Sequence, residues 1–252
     1  MKDLIKILDE YELDIFDATI FETTTGESLA KWMNPLRSLI RNELIAILEK
    51  GKYCRHNFND ELVIGSFLAS KGAIAYWSAL SFHGLTSQIS NTVFVQTPRK
   101  KNKKTIRGIR YDFVLVEDSE FVGHQNQGFG NHTFLITDIE KTLIDCLDKP
   151  QFCGDFADLI RAVANWKPNE NKLIEYCKNL NNKAVTKRLG YLIELFNTPG
   201  CDNFVTFALS NQAKGYALFD AKTESEGKYN NRWGLRLNVS EETLKSIAEE
   251  GY

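Results

Sequence analysis

Leu4, Ile5, Leu8 and Tyr11 recur at helical spacing with acidic residues between them, a pattern that predicts a short amphipathic helix over residues 2–12. Residues 14–21 form a second short apolar segment, and Thr23-Thr24-Thr25-Gly26 reads as a turn. Helical spacing resumes from Glu27 through Leu29, Trp32, Met33, Leu36, Leu39 and Ile40. Pro35 leaves two options there: Asn34 caps a new helix with the proline at its first position, or one longer helix kinks. Two β-prone runs between Glu43 and Arg55, joined by Lys50-Gly51, have the signature of a hairpin. Three helical segments followed by a hairpin with a basic turn predict a winged helix-turn-helix over residues 1–58.

From Glu61 the apolar positions close up into well-packed helices, Glu61 to Ser70 and Ala73 to Phe82, the second with Ile74, Trp77 and Leu80 on one stripe. Gly84 after His83 supplies a left-handed cap, with Leu85 folding back as its apolar contact. Residues 92–96 and 109–116 alternate as strands do, and 134–136 form another short run. Thr137-x-x-Glu140 reads as a capping box that opens a helix carrying Ile139, Leu143 and Leu147 and ending before Pro150. Helices are expected over 155–166, 173–180 and 184–196, strands over 204–209, 216–220 and 232–238, and a short helix at the end. Such a mixture without a strict βαβ rhythm makes residues 59–252 a larger α+β domain.

With 43% hydrophobic and 25% charged residues among 252, the chain can bury a sizeable core. Acids interrupt the apolar positions at its start, which does not read as a signal peptide, and no apolar run approaches the ~18 residues of a membrane span. A cytoplasmic protein without a membrane partner is therefore expected. Cys54, Cys146, Cys153, Cys177 and Cys201 are odd in number and scattered, without a Cys-x-x-Cys pair or a histidine at zinc-ligand spacing. They read as reduced thiols, and neither a metal nor a cofactor is expected. The net charge of -2 matters less than its distribution: residues 1–27 hold two lysines against eight acids, whereas residues 28–59 hold six cations against Glu43 and Glu49. A DNA-binding protein needs a local basic face, not a basic total.

Four pieces occur in order: Tyr76-Trp77-Ser78-Ala79-Leu80 with His83-Gly84-Leu85-Thr86, a basic hairpin, Ile136 to Leu147 with Pro150, and Lys187-Arg188-Leu189-Gly190-Tyr191-Leu192. In this order the chain resembles the AbiE-type antitoxins of abortive-infection systems over roughly residues 15–240. The resemblance implies an N-terminal winged helix that represses its own operon by binding inverted repeats in double-stranded promoter DNA. It also implies a C-terminal domain that counters a co-encoded nucleotidyltransferase toxin, in the type IV arrangement that needs no stable complex. Pro35 inside the expected recognition helix and the very acidic first helix depart from that pattern.

Candidate DNA contacts follow from the basic segment. Lys31, Asn34, Arg37 and Arg41 lie along the expected recognition helix, and Lys50, Lys52 and Arg55 lie in the wing. Arg37 suits base readout, since a guanidinium bonds two acceptors of guanine at once, while the wing cations suit phosphates. A denser run, Arg99, Lys100, Lys101, Lys103 and Lys104, continues to Arg107 and Arg110 without an acid. Between two alternating strands it reads as a hairpin tip, either simply solvated or serving as a second polyanion contact or partner surface. Lys183, Lys187 and Arg188 on one helix, and Arg232 and Arg236 on a strand, are further candidates for an antitoxin surface.

Catalytic chemistry has weaker support, and no catalytic residue is assigned. Asp138, Glu140 and Lys141, with Asp145 nearby, resemble the acid-acid-lysine cluster of a metal-dependent nuclease, but the capping box already accounts for Glu140. The chain has no Gly-x-Ser-x-Gly elbow for His83, His124 or His132, and no phosphate-binding glycine loop. A nucleic-acid-processing enzyme and a protein-interaction adaptor that never meets DNA remain the alternatives.

Overall fold

The computed structural model describes residues 3–223 and 226–250. Asp3 caps α1 (Leu4–Glu10), its carboxylate accepting from the Ile5 N–H at 3.3 Å, and the helix buries Leu4, Ile7 and Leu8. A three-residue strand, β1 (Ile15–Asp17), leads into α2 (Ala18–Thr25), which Asp17 caps and which ends on left-handed Gly26 in the expected turn. A 3-10 turn (Leu29–Trp32) precedes α3 (Met33–Arg41). Pro35 is the third residue of α3, so it neither starts the helix nor kinks it. Amides of the first helical turn have no intrahelical acceptor, and the ring there breaks no hydrogen bond. The hairpin β2 (Ile45–Glu49) and β3 (Lys52–Arg55) turns at Lys50-Gly51 as predicted, and β1 pairs with β3 to give the sheet order β1-β3-β2. Three residues are too few for β1 to announce itself by alternation.

This small sheet packs against other elements on both faces, although Ile47 of β2 stays exposed. Phe16 and Ile45 pack with Leu4, Leu8, Phe21 and Leu36 beneath the helices. Ile15, Leu48 and Cys54, with Phe58 after the hairpin, join a second core with Val63, Ile64, Val93, Val95, Tyr111 and Ile136 of the following residues. Residues 1–58 are thus woven into the larger body through one face of their sheet.

The body begins with α4 (Glu61–Leu68), β4 (Ala73–Ile74) and α5 (Tyr76–Phe82), followed by β5 (Thr92–Thr97), β6 (Lys104–Ile106), β7 (Ile109–Leu115), β8 (His124–Gln127) and β9 (Phe134–Thr137). These strands form a mixed sheet in the order β6-β7-β5-β4-β9-β8, with β5/β7 and β4/β9 parallel. Alternation along β5 sends Val93 and Val95 into the second core and Phe94 into a third. The third core lies under α5, α6 (Ile139–Asp148), α7 (Phe156–Asn165), α8 (Glu170–Leu180), α9 (Lys183–Leu195) and α10 (Asp202–Ser210). A small sheet of β10 (Ala217–Leu218), β12 (Leu235–Leu237) and β11 (Lys228–Asn230), in that order, and α11 (Glu241–Glu249) complete the described chain. Helices and mixed sheets of this kind make the class α+β, as the pattern predicts.

Several local expectations give way to tertiary context. Ala73 and Ile74 are a strand, not the start of a helix, because they bridge β5 and β9 in the sheet. The basic run is no simple hairpin tip, since the strands flanking it, β5 and β7, run parallel and its end forms β6. Gly123 to Gly130, which reads as a polar loop, contains the edge strand β8, held by its backbone ladder to β9. The run at 204–209 is helical, and its β-prone side chains succeed there because Phe204 and Ala208, four apart, share the buried face. Asp138, not Thr137, caps α6: its carboxylate accepts from the Lys141 N–H at 2.9 Å, while Glu140 accepts from the Asn169 N–H. The left-handed cap at Gly84 is present, with the Leu85 N–H donating to the Leu80 carbonyl at 2.8 Å.

Candidate nucleic-acid interface

The face of α3 turned from the core is polar. Leu36 is buried beneath it with Met33, Leu39 and Ile40 packed alongside, which leaves Asn34, Arg37, Ser38 and Arg41 exposed at positions i, i+3, i+4 and i+7. Among the described residues no carboxylate forms an ion pair with Lys31, Arg37 or Arg41. The Asn34 side-chain oxygen accepts from Arg37 at 3.5 Å, which aligns the amide and the guanidinium. Three of the four exposed positions were candidates from the sequence. Ser38 carries no charge to single it out in the sequence, and only its helical spacing places it on the same stripe.

The hairpin splits its three candidates. Lys50 at the turn is exposed and unpaired by any acid among the described residues. Lys52 is not a free phosphate ligand: its ammonium donates to the carbonyls of Phe67 and Leu68 at 2.5 and 2.6 Å and lies 3.5 Å from Glu49. Burial lowers its pKa, with the Glu49 charge opposing. Arg55 turns back across β1 to Asp9 and, at 3.6 Å, to Asp14. Both expectations fail because each face of β3 meets a neighbouring element. Three residues apart, the two lie on opposite faces: Lys52 shares the face of Cys54, toward α4, and Arg55 that of Tyr53, toward α1.

The run beyond β5 divides in the same way. Lys101 pairs with Glu49 at 2.8 Å, Lys104 lies 4.0 Å from the same carboxylate, and Lys103 pairs with Asp112 at 2.9 Å beside Arg110 at 3.1 Å. Arg99 and Lys100 are exposed and have no ion pair among the described residues.

Lys187 and Arg188 do not form a surface, because both are buried. The Lys187 ammonium donates to the carbonyls of Ala213, Gly215 and Gly234 at 2.9, 2.9 and 3.3 Å. Arg188 donates to Leu218 and Leu147, tying α9 to β10 and to the end of α6. Lys183 bonds the Asn211 side chain at 2.7 Å. Arg232 pairs with Glu194 at 2.7 Å, and Arg236 lies 5.4 Å from the Tyr229 ring centroid. The Lys187-Arg188-Leu189-Gly190 motif therefore works inside the fold, and Gly190 leaves room for the ring of Trp233, which an added Cβ would strike.

The acids of the nuclease alternative are engaged elsewhere. Asp138 accepts from Lys172 and the Tyr176 hydroxyl at 2.9 and 2.8 Å, and Asp145 is buried against Lys141, where burial raises its pKa and Lys141 opposes. No group of three or more His, Cys, Asp or Glu side chains among the described residues is arranged to hold a metal ion. No helix among them is long and apolar enough to cross a membrane.

No protein-family model matches the chain, and no curated protein does. Among solved structures, the fold is similar to the crystal structure of the RV2827C protein from Mycobacterium tuberculosis. The TM-score is 0.64 at 14% identity, over 98% of this chain and 94% of that one. The likeness spans both the N-terminal sheet and the body, and at this identity it concerns the fold alone.

Proposed function

We propose that this protein is a DNA-binding transcriptional autorepressor and an AbiE-type antitoxin of a type IV toxin-antitoxin operon. In this reading residues 1–58 act as a winged helix, α3 enters the major groove and the β2-β3 hairpin is the wing. The observation that carries it is the stripe Asn34, Arg37, Ser38 and Arg41, exposed along α3 with Lys31 in the 3-10 turn before it and free of acidic partners among the described residues. A helix presenting hydrogen-bonding side chains on one face, flanked by cations, has what groove readout needs. The order helix, strand, helix, helix, hairpin, with the first strand paired to the last, supports the same reading. The antitoxin half rests on the resemblance of the sequence motifs.

Binding of the purified full chain to a duplex from its own promoter tests the regulator half. Arg37→Ala is expected to weaken binding by about 1–3 kcal/mol and relax sequence preference, and Lys50→Ala to weaken it evenly across sequences. Absence of a shifted duplex at low salt refutes this half. Growth rescue by the full chain against a co-encoded nucleotidyltransferase tests the other, with persistent toxicity as the refuting result. Full-length Lys31→Ala/Arg37→Ala is expected to lose the promoter and keep the rescue.

A further inference from the structure

Glu49 is the only acid of the hairpin, and cations from two distant parts of the chain converge on it. Lys101 reaches both of its oxygens, at 3.0 and 2.8 Å, with Lys104 at 4.0 Å and Lys52 at 3.5 Å. Lys101 also lies 5.3 Å from the Phe113 ring centroid, which fixes its ammonium from the other side. Although burial pushes the Glu49 carboxyl up, the surrounding lysines outweigh it and hold the group below its ordinary range. Two things follow. The negative charge beside Lys50 is neutralised, and the segment just after β5 is docked against the hairpin. Lys50 follows Glu49 and Arg99-Lys100 precede Lys101, so this ion pair ties the two basic stretches together, and all three side chains are exposed and without acidic partners among the described residues.

We propose that residues Arg99 and Lys100 form a second phosphate-contacting arm for the same DNA duplex, extending the hairpin's contact along the backbone. The inference rests on the reading of residues 1–58 as a duplex binder. A backbone contact fits the chemistry better than a protein partner. The segment Arg99-Lys-Lys-Asn-Lys-Lys-Thr105 has no apolar side chain, and the cores of protein interfaces are apolar and poor in lysine. Close cations meeting a polyanion release condensed counterions, so the arm contributes affinity and salt dependence while the choice of sequence stays with α3.

The test is a salt titration of the full chain and its Arg99→Ala/Lys100→Ala variant on the promoter duplex and on a scrambled duplex. Two lost phosphate contacts are expected to reduce the slope of log affinity against log salt by about 1.8, equally on both duplexes. Hydroxyl-radical protection of the promoter is expected to shorten at one end. An unchanged slope with normal wild-type binding overturns the arm and leaves the winged-helix reading standing. Failure of the wild-type chain to bind any duplex overturns both. An unchanged slope together with lost toxin rescue assigns the loop to a protein contact and likewise overturns the proposal. Both side chains are exposed, so an unchanged melting temperature separates these outcomes from misfolding.

Discussion

Asn131 clasps Ile15 across 116 residues of chain: its side-chain oxygen accepts from the Ile15 N–H at 2.8 Å while its amide donates to the Ile15 carbonyl, also at 2.8 Å. The same oxygen accepts from the Asp14 N–H, and His132 donates to the Asp14 carboxylate at 2.7 Å. One side chain thus pairs with β1 as a neighbouring strand would, on the edge that β3 does not occupy. Asn131→Ala leaves three backbone groups short of partners and is expected to cost about 1–3 kcal/mol. At this size each kcal/mol lowers the melting temperature by roughly 2–4 °C. Hydrogen exchange at Asp14 and Ile15 should rise in the variant, and unchanged protection there contradicts the clasp.

The shared core bears on any attempt to separate the two parts. Deleting residues 1–58 removes Ile15, Leu48, Cys54 and Phe58 from the core they form with α4 and the central sheet. The remainder is expected to expose that apolar face and to aggregate or bind a hydrophobic dye, measured by light scattering and dye fluorescence. A soluble, cooperatively melting fragment 59–252 refutes this and supports a domain boundary near residue 58.

Gly190 lies where α9 meets the buried indole of Trp233, whose Nε1 donates to Glu194 at 2.7 Å. Gly190→Ala drives a methyl into that ring and is expected to destabilise by about 1–3 kcal/mol or more, although alanine is the better helix former. Chemical denaturation reads the sign directly. A stabilised variant would mean that α9 and β12 separate at little cost.

His124 links stability to pH. Burial lowers its pKa to about 4, with the Lys141 charge adding and Asp138 opposing. Its Nε2 lies 2.9 Å from the Gln96 amide nitrogen, so the neutral ring accepts there, and the tilted Phe121 ring packs with its centroid 4.1 Å away. The unfolded chain binds the extra proton between about pH 6.5 and 4. This contribution is therefore complete above about pH 6.5 and is lost as the pH falls through that window. Discounted for partial exposure it amounts to about 1–2 kcal/mol. Denaturation at pH 7 and pH 5 should give a larger difference for the wild type than for His124→Gln, and equal differences refute the assignment.

Periodicity alone identified α1, α4, α6, α7, α8 and α9, the β2-β3 hairpin and the α+β class, because in each the spacing of apolar residues and the turn chemistry act over a few neighbouring positions. It also placed Asn34, Arg37 and Arg41 on one helical face. Strands β1, β4 and β8 stayed hidden, since two to four residues are held by ladders to distant partners and carry no period of their own. Charge was legible as composition but not as exposure. Lys50, Arg99 and Lys100 face solvent, whereas Lys52, Arg55, Lys187 and Arg188 are drawn onto carbonyls and carboxylates that lie close only after folding. A lysine's partner is set by whichever chain segment packs beside it, and local sequence does not encode that distance.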